Sequence, residues 1–280
     1  MEEYIFSYGE YDDALLDKVV NLFNDTFSWT DKFSKEYLRW QYLENPNGKV
    51  VSFNAFAKDG TIAAHYAAIP TYMVIDGQKK LGLLSLNTAT HPKHQGHRLF
   101  TKLAEMTYQY ATEHGFNFVI GVANANSTHG FLKHLGFYLI APLDFKIGIG
   151  DVFKNEIEMG KNRVLWDEAS LKWRLKCPAY KYTAKGSTIY GNRKEPLFHT
   201  SVAKMPEDLT RTSLGLAKTF DVFNIYIGLG LKIKKGLYFN LPGFIKRSPF
   251  NLIFKDLTGR ELPKMTTDNI FFQLLDYDVA

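Results

Sequence analysis

The stretch from Thr88 to Leu103, Thr-Ala-Thr-His-Pro-Lys-His-Gln-Gly-His-Arg-Leu-Phe-Thr-Lys-Leu, is where residue types and spacing point most directly to chemistry. An apolar run ends at Thr90 and His91-Pro92 interrupts it. Beyond Gln95-Gly96 the apolar positions Leu99, Leu103, Met106 and Tyr110 recur at helical spacing, with Lys102, Glu105 and Gln109 turned away. This order predicts a strand, a short loop and a helix that begins at Gln95–Arg98. The first amides of a helix have no partner within it and sit at the positive end of its dipole, so such a turn suits a pyrophosphate. Gly96 lets the backbone come close to a ligand, and Lys93, His97 and Arg98 add positive charge.

A second stretch, Asn124 to Phe137, reads Asn-Ala-Asn-Ser-Thr-His-Gly-Phe-Leu-Lys-His-Leu-Gly-Phe. Asn126 or Ser127 is suited to cap a helix that ends at Leu135-Gly136, where Gly136 fits a left-handed C-terminal turn. Asn117–Val122, between the two stretches, reads as a buried strand. Six of the eight histidines fall between His91 and His134, and His91, His94 and His97 are spaced by three. A phosphate-binding turn explains that spacing without a metal. No acidic or cysteine partner is close in sequence, so no metal site is expected.

The first stretch resembles motif A of the GNAT N-acetyltransferases, in which Gln/Arg-x-x-Gly-x-Gly/Ala follows a strand ending in His-Pro or a similar pair. Here the motif reads Gln95-Gly96-His97-Arg98-Leu99-Phe100, with Arg98 where the family usually has Gly and Phe100 where it has Gly or Ala. The second stretch resembles GNAT motif B, where Asn opens a helix ending in Leu-Gly-Phe. Variants with Phe in the last slot of motif A occur in a GNAT branch associated with surface polysaccharide clusters. Trp173-Arg174, Lys246-Arg247-Ser248-Pro249 and Asp276-Tyr277-Asp278 resemble that branch too.

The resemblance implies acetyl-CoA, or another acyl-CoA, as co-substrate. Its pyrophosphate would rest on amides of Gln95, Gly96, His97, Arg98, Leu99 and Phe100. The pantetheine arm would pair like an extra strand with backbone at Thr88 and Thr90, and Asn124 or Asn126 would hold its far side. An acceptor amine would attack the thioester directly, which leaves an amine proton to remove and a thiolate to protonate. Many family members use a Tyr four residues before the Gly of Leu-Gly-Phe as the thiolate acid. Here that position is Leu132, after Phe131, and neither donates a proton. The candidates left for catalysis are His65, His129 and Asn87. Ser127 and Thr128 lie near His129, and Ser85 and Asn87 are suited to orienting a substrate or a water.

The elements that must position these residues follow from periodicity. Tyr4–Ser7 reads as a strand. Leu15, Val19, Leu22 and Phe23 mark a helix from Asp12. A second helix covers Ser34–Leu43 and stops at Asn45-Pro46-Asn47-Gly48. Val50–Ala57 and Thr61–Ala68 form a hairpin about Asp59-Gly60, and Tyr72–Ile75 and Leu81–Thr90 form another about Asp76-Gly77. Phe137–Ile149 is strand-like. The fold class is α/β (α+β), with a GNAT-type mixed, mostly antiparallel sheet and flanking helices. The strand before His91 lies beside the one after the helix.

Two parts are expected, residues 1–150 as the acyl-CoA-binding unit and 151–280 as a degenerate GNAT-like copy or an accessory domain, divided between Gly148 and Gly160. Leu38-Arg39-Trp40 before Pro46 is echoed by Leu171-Lys172-Trp173 before Pro178. Ser187–Tyr190, Leu197–Ala203 and Leu252–Lys255 are strand candidates, and Leu209–Ala217 is a helix candidate. Asp276 and Asp278 alternate along a terminal strand, where they would be solvated or would bind a sugar or an ammonium group.

Composition sets the outer bounds. The chain has 280 residues, 45% hydrophobic and 22% charged, an ordinary globular balance. One cysteine, Cys177, rules out an internal disulfide. The start lacks the pattern of a signal peptide and no run is long enough for a membrane span, which favours the cytoplasm. The net charge of +5 suits CoA phosphates, a nucleotide-sugar or anionic lipid. Leu231–Arg247 mixes lysines with apolar residues, as a half-buried strand pair with a basic face or as a surface for an anionic membrane. The function expected is acyl transfer to a primary amine, with an amino sugar or nucleotide-sugar in surface glycan biosynthesis as the acceptor. Oligomers are compatible with this reading, and nucleic-acid binding is not expected. The alternatives are an acyl-CoA-binding sensor or scaffold, and a Fem-type tandem-GNAT aminoacyl transferase, which would have no use for a CoA turn.

Overall fold

The computed structural model describes residues 4–27, 33–154, 157–192, 198–199, 201–219, 223–233, 237–241, 249–259 and 261–277. The first part runs β1 (Ile5–Tyr8), α1 (Asp13–Thr26), α2 (Lys35–Leu43), β2 (Val51–Phe56), β3 (Ile62–Ile75), β4 (Gln78–Thr90), a short 3-10 turn (Pro92–His94), α3 (Leu99–Glu113), β5 (Phe118–Ala123), α4 (Ala125–His134), β6 (Tyr138–Pro142) and β7 (Asp144–Ile149). The second part runs β8 (Ile157–Met159), β9 (Asn162–Val164), α5 (Glu168–Leu175), β10 (Lys181–Lys185), β11 (Thr188–Asn192), β12 (Phe198–His199), β13 (Ser201–Lys204) and β14 (Ala217–Lys218). It continues as β15 (Phe223–Leu229), β16 (Leu231–Ile233), β17 (Tyr238–Asn240), β18 (Asn251–Asp256), β19 (Ile270–Gln273) and a closing 3-10 turn (Leu274–Asp276).

A mixed sheet of 13 strands in the order β17-β7-β15-β19-β9-β3-β4-β5-β18-β6 runs through both parts, with β1 and β2 branching from β3 and β12 from β15. A second sheet, β13-β11-β10-β14, has four strands. Helices cover both faces of the large sheet. On one face α1 and α2 contribute Leu16, Phe23, Tyr37 and Trp40 to the larger core. On the other, α3 and α4 contribute Leu99, Leu103 and Phe131 to a second core. α1 starts because the Asp12 side chain accepts from Leu15 N–H, and α2 because Ser34 accepts from Tyr37 N–H.

The expected mixed fold, with β4 and β5 as parallel neighbours, is present. Thr61–Ala68 and Tyr72–Ile75 turn out to be one strand that passes straight through Pro70, whose carbonyl accepts from Asn45 Nδ2. The Phe137–Ile149 run breaks at Leu143, so β6 pairs with β18 while β7 pairs with β15 and β17. Leu209–Ala217 is not a helix. Thr210 N–H donates to Ser213 Oγ and Ser213 N–H to Thr210 Oγ1, at 3.0 and 3.1 Å, and Gly215 adopts φ 68°. Hydroxyl-to-backbone bonds of this kind close turns in place of a helical ladder.

The paired Trp echo becomes a contact. Trp40 of α2 and Trp173 of α5 stack at 5.0 Å with 18° between their planes. Each indole Nε1–H donates to the other residue's carbonyl, both at 2.9 Å. Two short helices with the same local sequence therefore meet through a reciprocal arrangement that joins the two parts. Loss of either ring leaves a buried void and orphans a carbonyl. Trp40→Ala and Trp173→Ala should each cost about 3–5 kcal/mol. The double variant should fall short of the summed cost by roughly 0.5–3 kcal/mol, because the two rings act as one unit. Urea unfolding of the four proteins measures this, and additive losses would show that the contact is not a unit.

Candidate functional site

The site is built on the parallel pair β4 and β5. Their register holds from Gly82 opposite Phe118 to Ser85 opposite Gly121 and goes no further. Gly121 stands at the fork, where an added Cβ would meet Ser85 Cβ at 3.3 Å. Beyond it each strand follows its outer neighbour. β4 stays on β3, with Thr90 opposite Ala64, and β5 stays on β18, with Ala123 opposite Asn251. A bulge bends β4, since Asn87 and Thr88 share the space opposite Tyr66, between the Ala67–Leu86 and His65–Ala89 pairs. The result is a V-shaped cleft with Asn87, Thr88 and Thr90 on one wall and the β5–α4 junction on the other.

Asn87 adopts φ 47°, a left-handed conformation that asparagine tolerates better than most residues. Its amide Nδ2–H donates to Gln41 Oε1 and, at 3.1 Å, to Tyr42 Oη, which ties the bulge to α2. Tyr42 Oη in turn meets His65 Nε2 at 3.0 Å, and His65 Nδ1 meets Asn54 Oδ1 at 2.7 Å. With Asn54 Oδ1 an acceptor, the His65 proton sits on Nδ1, and Nε2 is left to accept from Tyr42 Oη. Burial pushes the His65 imidazole down to about 3, and the ring is fully enclosed. His65 is thus placed as a neutral member of the network that holds the bulge, out of reach of a ligand in the cleft.

The turn beyond β4 differs in detail from a helix that begins at Gln95. Pro92–His94 forms a 3-10 turn, Gly96 adopts φ 83°, and Arg98 adopts φ 57° just before α3. Arg98 stands in the motif position where glycine is usual, and the backbone keeps the left-handed shape that glycine would give. The helical bonds start with Lys102 N–H to Arg98 C=O, so the amides of Leu99, Phe100 and Thr101 precede the ladder. Gln95, Gly96, His97 and Arg98 are exposed, and a Cβ on Gly96 would meet no atom within 4 Å. The space in front of the turn is therefore open to an anion. His94 and His97 both set their rings edge-on against Tyr4 at 5.7 Å, and Tyr4 Oη meets His94 Nδ1 at 3.1 Å. Phe100, large where the motif is usually small, turns toward α4 and packs on Phe131 at 5.2 Å. An added Cβ on Gly130 would come within 3.0 Å of its ring.

On the far wall the α4 cap is Asn124, not Asn126 or Ser127: its Oδ1 accepts from Ser127 N–H at 2.9 Å and Ser127 Oγ at 3.1 Å. Asn126 is exposed in the first turn. His129 is exposed further along α4, with its ring 5.9 Å from that of His134. Two contributions to this wall were not foreseen. β18 inserts between β5 and β6, and it carries Asn251, whose Nδ2–H donates to Thr128 Oγ1 at 2.8 Å. Leu252–Lys255 signalled a strand, but nothing local in the sequence signals its partner.

Behind the bulge, between the two parts, lies a cavity of about 20 Å³ lined by Gln41, Leu84, Trp173, Arg174 and Asp276 among others. That is room for about one water. Asp276 is not on a solvated terminal strand. It is buried in a 3-10 turn, accepts from Trp166 Nε1–H at 2.8 Å and Gln273 N–H at 2.9 Å, and burial pushes its carboxyl up to about 7. Asp278 lies outside the described residues.

Residues 7–140 match the family model "Acetyltransferase (GNAT) domain". Similar solved structures span both parts. A conserved protein of Enterococcus faecalis, titled a probable N-acyltransferase, is 8% identical with a TM-score of 0.61, over 91% of this chain and 73% of that one. A GCN5-related N-acetyltransferase from Anabaena variabilis is 10% identical with a TM-score of 0.59, over 91% and 73%. One from Kribbella flavida is 8% identical with a TM-score of 0.54, over 90% and 71%. At these identities the likeness is one of fold. No curated protein sequence matches the chain.

The left-handed Arg98 gives a test of the turn. Arg98→Gly should change stability by less than about 0.5 kcal/mol, since relief of the left-handed strain offsets glycine's entropy. Arg98→Val, β-branched in that conformation, should lose about 1–2 kcal/mol. Guanidinium unfolding compares them; equal stability would mean the turn does not hold this backbone.

Proposed function

We propose that this protein transfers an acetyl or other acyl group from acyl-CoA to a primary amine, with residues 1–150, completed by β18, as the acyl-CoA-binding unit. The observation that carries the reading is the fork between β4 and β5, which ends in an open turn with left-handed Gly96 and Arg98. Acyl-CoA, when bound, supplies an activated thioester. The amides from Gln95 to Phe100, the first four of them on exposed residues, suit a pyrophosphate, with Lys93, His97 and Arg98 adding charge. Thr88 and Thr90, beyond the last β4–β5 pair, offer backbone to an extended arm, and Asn124 and Asn126 flank it at the start of α4. Asn87 and Thr88, set off from the ladder by the bulge, are placed to donate amide hydrogens to a carbonyl in the cleft.

The walls of the cleft supply hydroxyls and amides: Thr88, Thr90, Ser127, Thr128 and Asn251. Such groups orient an amine and a thioester; as the C–N bond forms and the C–S bond breaks, the amine's proton passes to water at the open end and the departing CoA thiolate takes a proton from water. The acceptor we favour is an amino sugar or nucleotide-sugar of surface glycan assembly. This rests on the resemblance of the motif variant with Phe100 in its last slot to a GNAT branch associated with surface polysaccharide clusters.

Thiol release from acetyl-CoA in the presence of a panel of primary amines, amino sugars included, tests the reading. Amine-dependent release is expected. Asn87→Gly, which keeps the left-handed backbone but cuts the tie to Gln41 and Tyr42, should lower kcat by about tenfold or more with little change in the KM for acetyl-CoA. Absence of release with every amine at saturating acetyl-CoA would overturn transferase activity and favour an acyl-CoA sensor.

A further inference from the structure

On the face of the sheet that α3 covers, three hydroxyls form a line that ends at the apex of the fork. Tyr108 of α3 and Tyr66 of β3 are buried in the same core, and their hydroxyl oxygens meet at 2.5 Å. Tyr66 Oη then meets Ser85 Oγ at 2.7 Å. Ser85 is the last β4 residue in register with β5, and it is partly exposed where the two tyrosines are not. Its neighbour across the strands is Gly121, which puts no side chain beside it. The line therefore starts inside the core and stops where the strands part.

Its polarity follows from the protons available. Each hydroxyl has one proton to give and can also accept. Among the described residues the Tyr108 hydroxyl meets that of Tyr66 alone. If the line ran inward, from Ser85 to Tyr66 to Tyr108, the last proton would be buried with nothing to accept it, at the cost of an unmade bond. Run outward, Tyr108 donates to Tyr66 and Tyr66 donates to Ser85, which leaves the Ser85 proton for the fork. Burial pushes the Tyr66 hydroxyl up to about 12 and that of Tyr108 well above the ordinary range, so both keep their protons at neutral pH. Hydroxyls in series polarise one another, so the outward line makes Ser85 a stronger donor than an isolated serine. From α4 this core receives Phe131, Leu132 and Leu135, none with a proton to give.

We propose that Ser85 donates a hydrogen bond to the CoA sulfur as the thioester breaks, with Tyr66 and Tyr108 as positioning residues that aim its proton. This rests on the acyl-CoA reading of the fork. An arm that enters at the turn and follows β4 back past Thr90 and Thr88 brings its reacting end to the bulge and then to the apex. There the carbonyl oxygen has the amides of Asn87 and Thr88, and the sulfur has Ser85. As the amine nitrogen bonds to the carbonyl carbon, the C–S bond breaks and its electron pair stays on sulfur. Ser85 keeps its own proton, because a serine hydroxyl is far less acidic than a thiol, and the thiolate takes its proton from water.

The test compares CoA with desulfo-CoA, which lacks the thiol, so no acceptor need be known. Both are titrated calorimetrically into the full chain at about pH 7 and about pH 10, either side of a thiol's ordinary ionisation. A group that donates to the thiolate makes the affinity for CoA, relative to desulfo-CoA, rise with pH. A rise of about fivefold or more is expected in the wild type. Ser85→Ala should abolish it while binding desulfo-CoA as before, and Tyr66→Phe, which keeps the serine but removes its aim, should reduce it in part. No rise in the wild type, or an equal rise in Ser85→Ala, would overturn this proposal and leave the acyl-CoA reading standing. Wild-type protein that binds neither compound would overturn both.

Discussion

Two parallel strands that pair over four residues and then part are the constraint on which the rest of the molecule depends. A ladder left half-made exposes backbone groups, and an exposed edge is usually covered or blunted. Here each strand is held to a different outer partner, so the fork cannot close. Asn87 makes the divergence by its left-handed bulge, and Gly121 permits the close approach at the apex. The network behind the bulge, Gln41, Tyr42, His65 and Asn54, is polar and buried, and it fixes the bend without itself facing the cleft. His65 is neutral for the same reason that it is useful there: an uncharged imidazole can accept from Tyr42 and donate to Asn54 at once.

The second part of the chain is not an appendage to this fork. β18 supplies the neighbour of β5 and places Asn251 against α4. β9 and β19 extend the sheet beyond β3. The reciprocal Trp40–Trp173 pair closes the other side, and Arg174, the residue after Trp173, donates from Nε to Leu275 C=O and from Nη2 to Tyr277 C=O. Helix, sheet and the closing 3-10 turn are therefore tied at one buried point beside the cavity that Gln41 lines.

What could be read from the sequence was what is local. Helical period gave α1 to α4 to within a few residues, and Asp59-Gly60 and Asp76-Gly77 marked their hairpins, because each signal lies within the element it forms. The Trp echo was visible in two tripeptides, although its meaning as a contact was not. Pairing between distant segments left no local trace: Leu252–Lys255 looked like a strand anywhere. The left-handed shape of Arg98 was hidden because glycine, the residue that announces such a backbone, is absent there. Leu209–Ala217 misled because its apolar spacing suits a helix while Thr210 and Ser213 compete for the same backbone groups. Asp276 read as a solvated end since charge ordinarily means exposure, and only tertiary packing buries it.

The central claim is that acyl-CoA binds at the turn between β4 and α3. Calorimetric titration of acetyl-CoA into the wild type and into Gly96→Trp tests it most directly, because the indole would fill the open space before the turn. Binding by the wild type at concentrations below about 1 mM, and its loss in a Gly96→Trp protein that keeps its circular dichroism, is the result expected. Wild-type protein that takes up no acetyl-CoA in that range, or a Gly96→Trp protein that binds it equally well, would contradict the assignment.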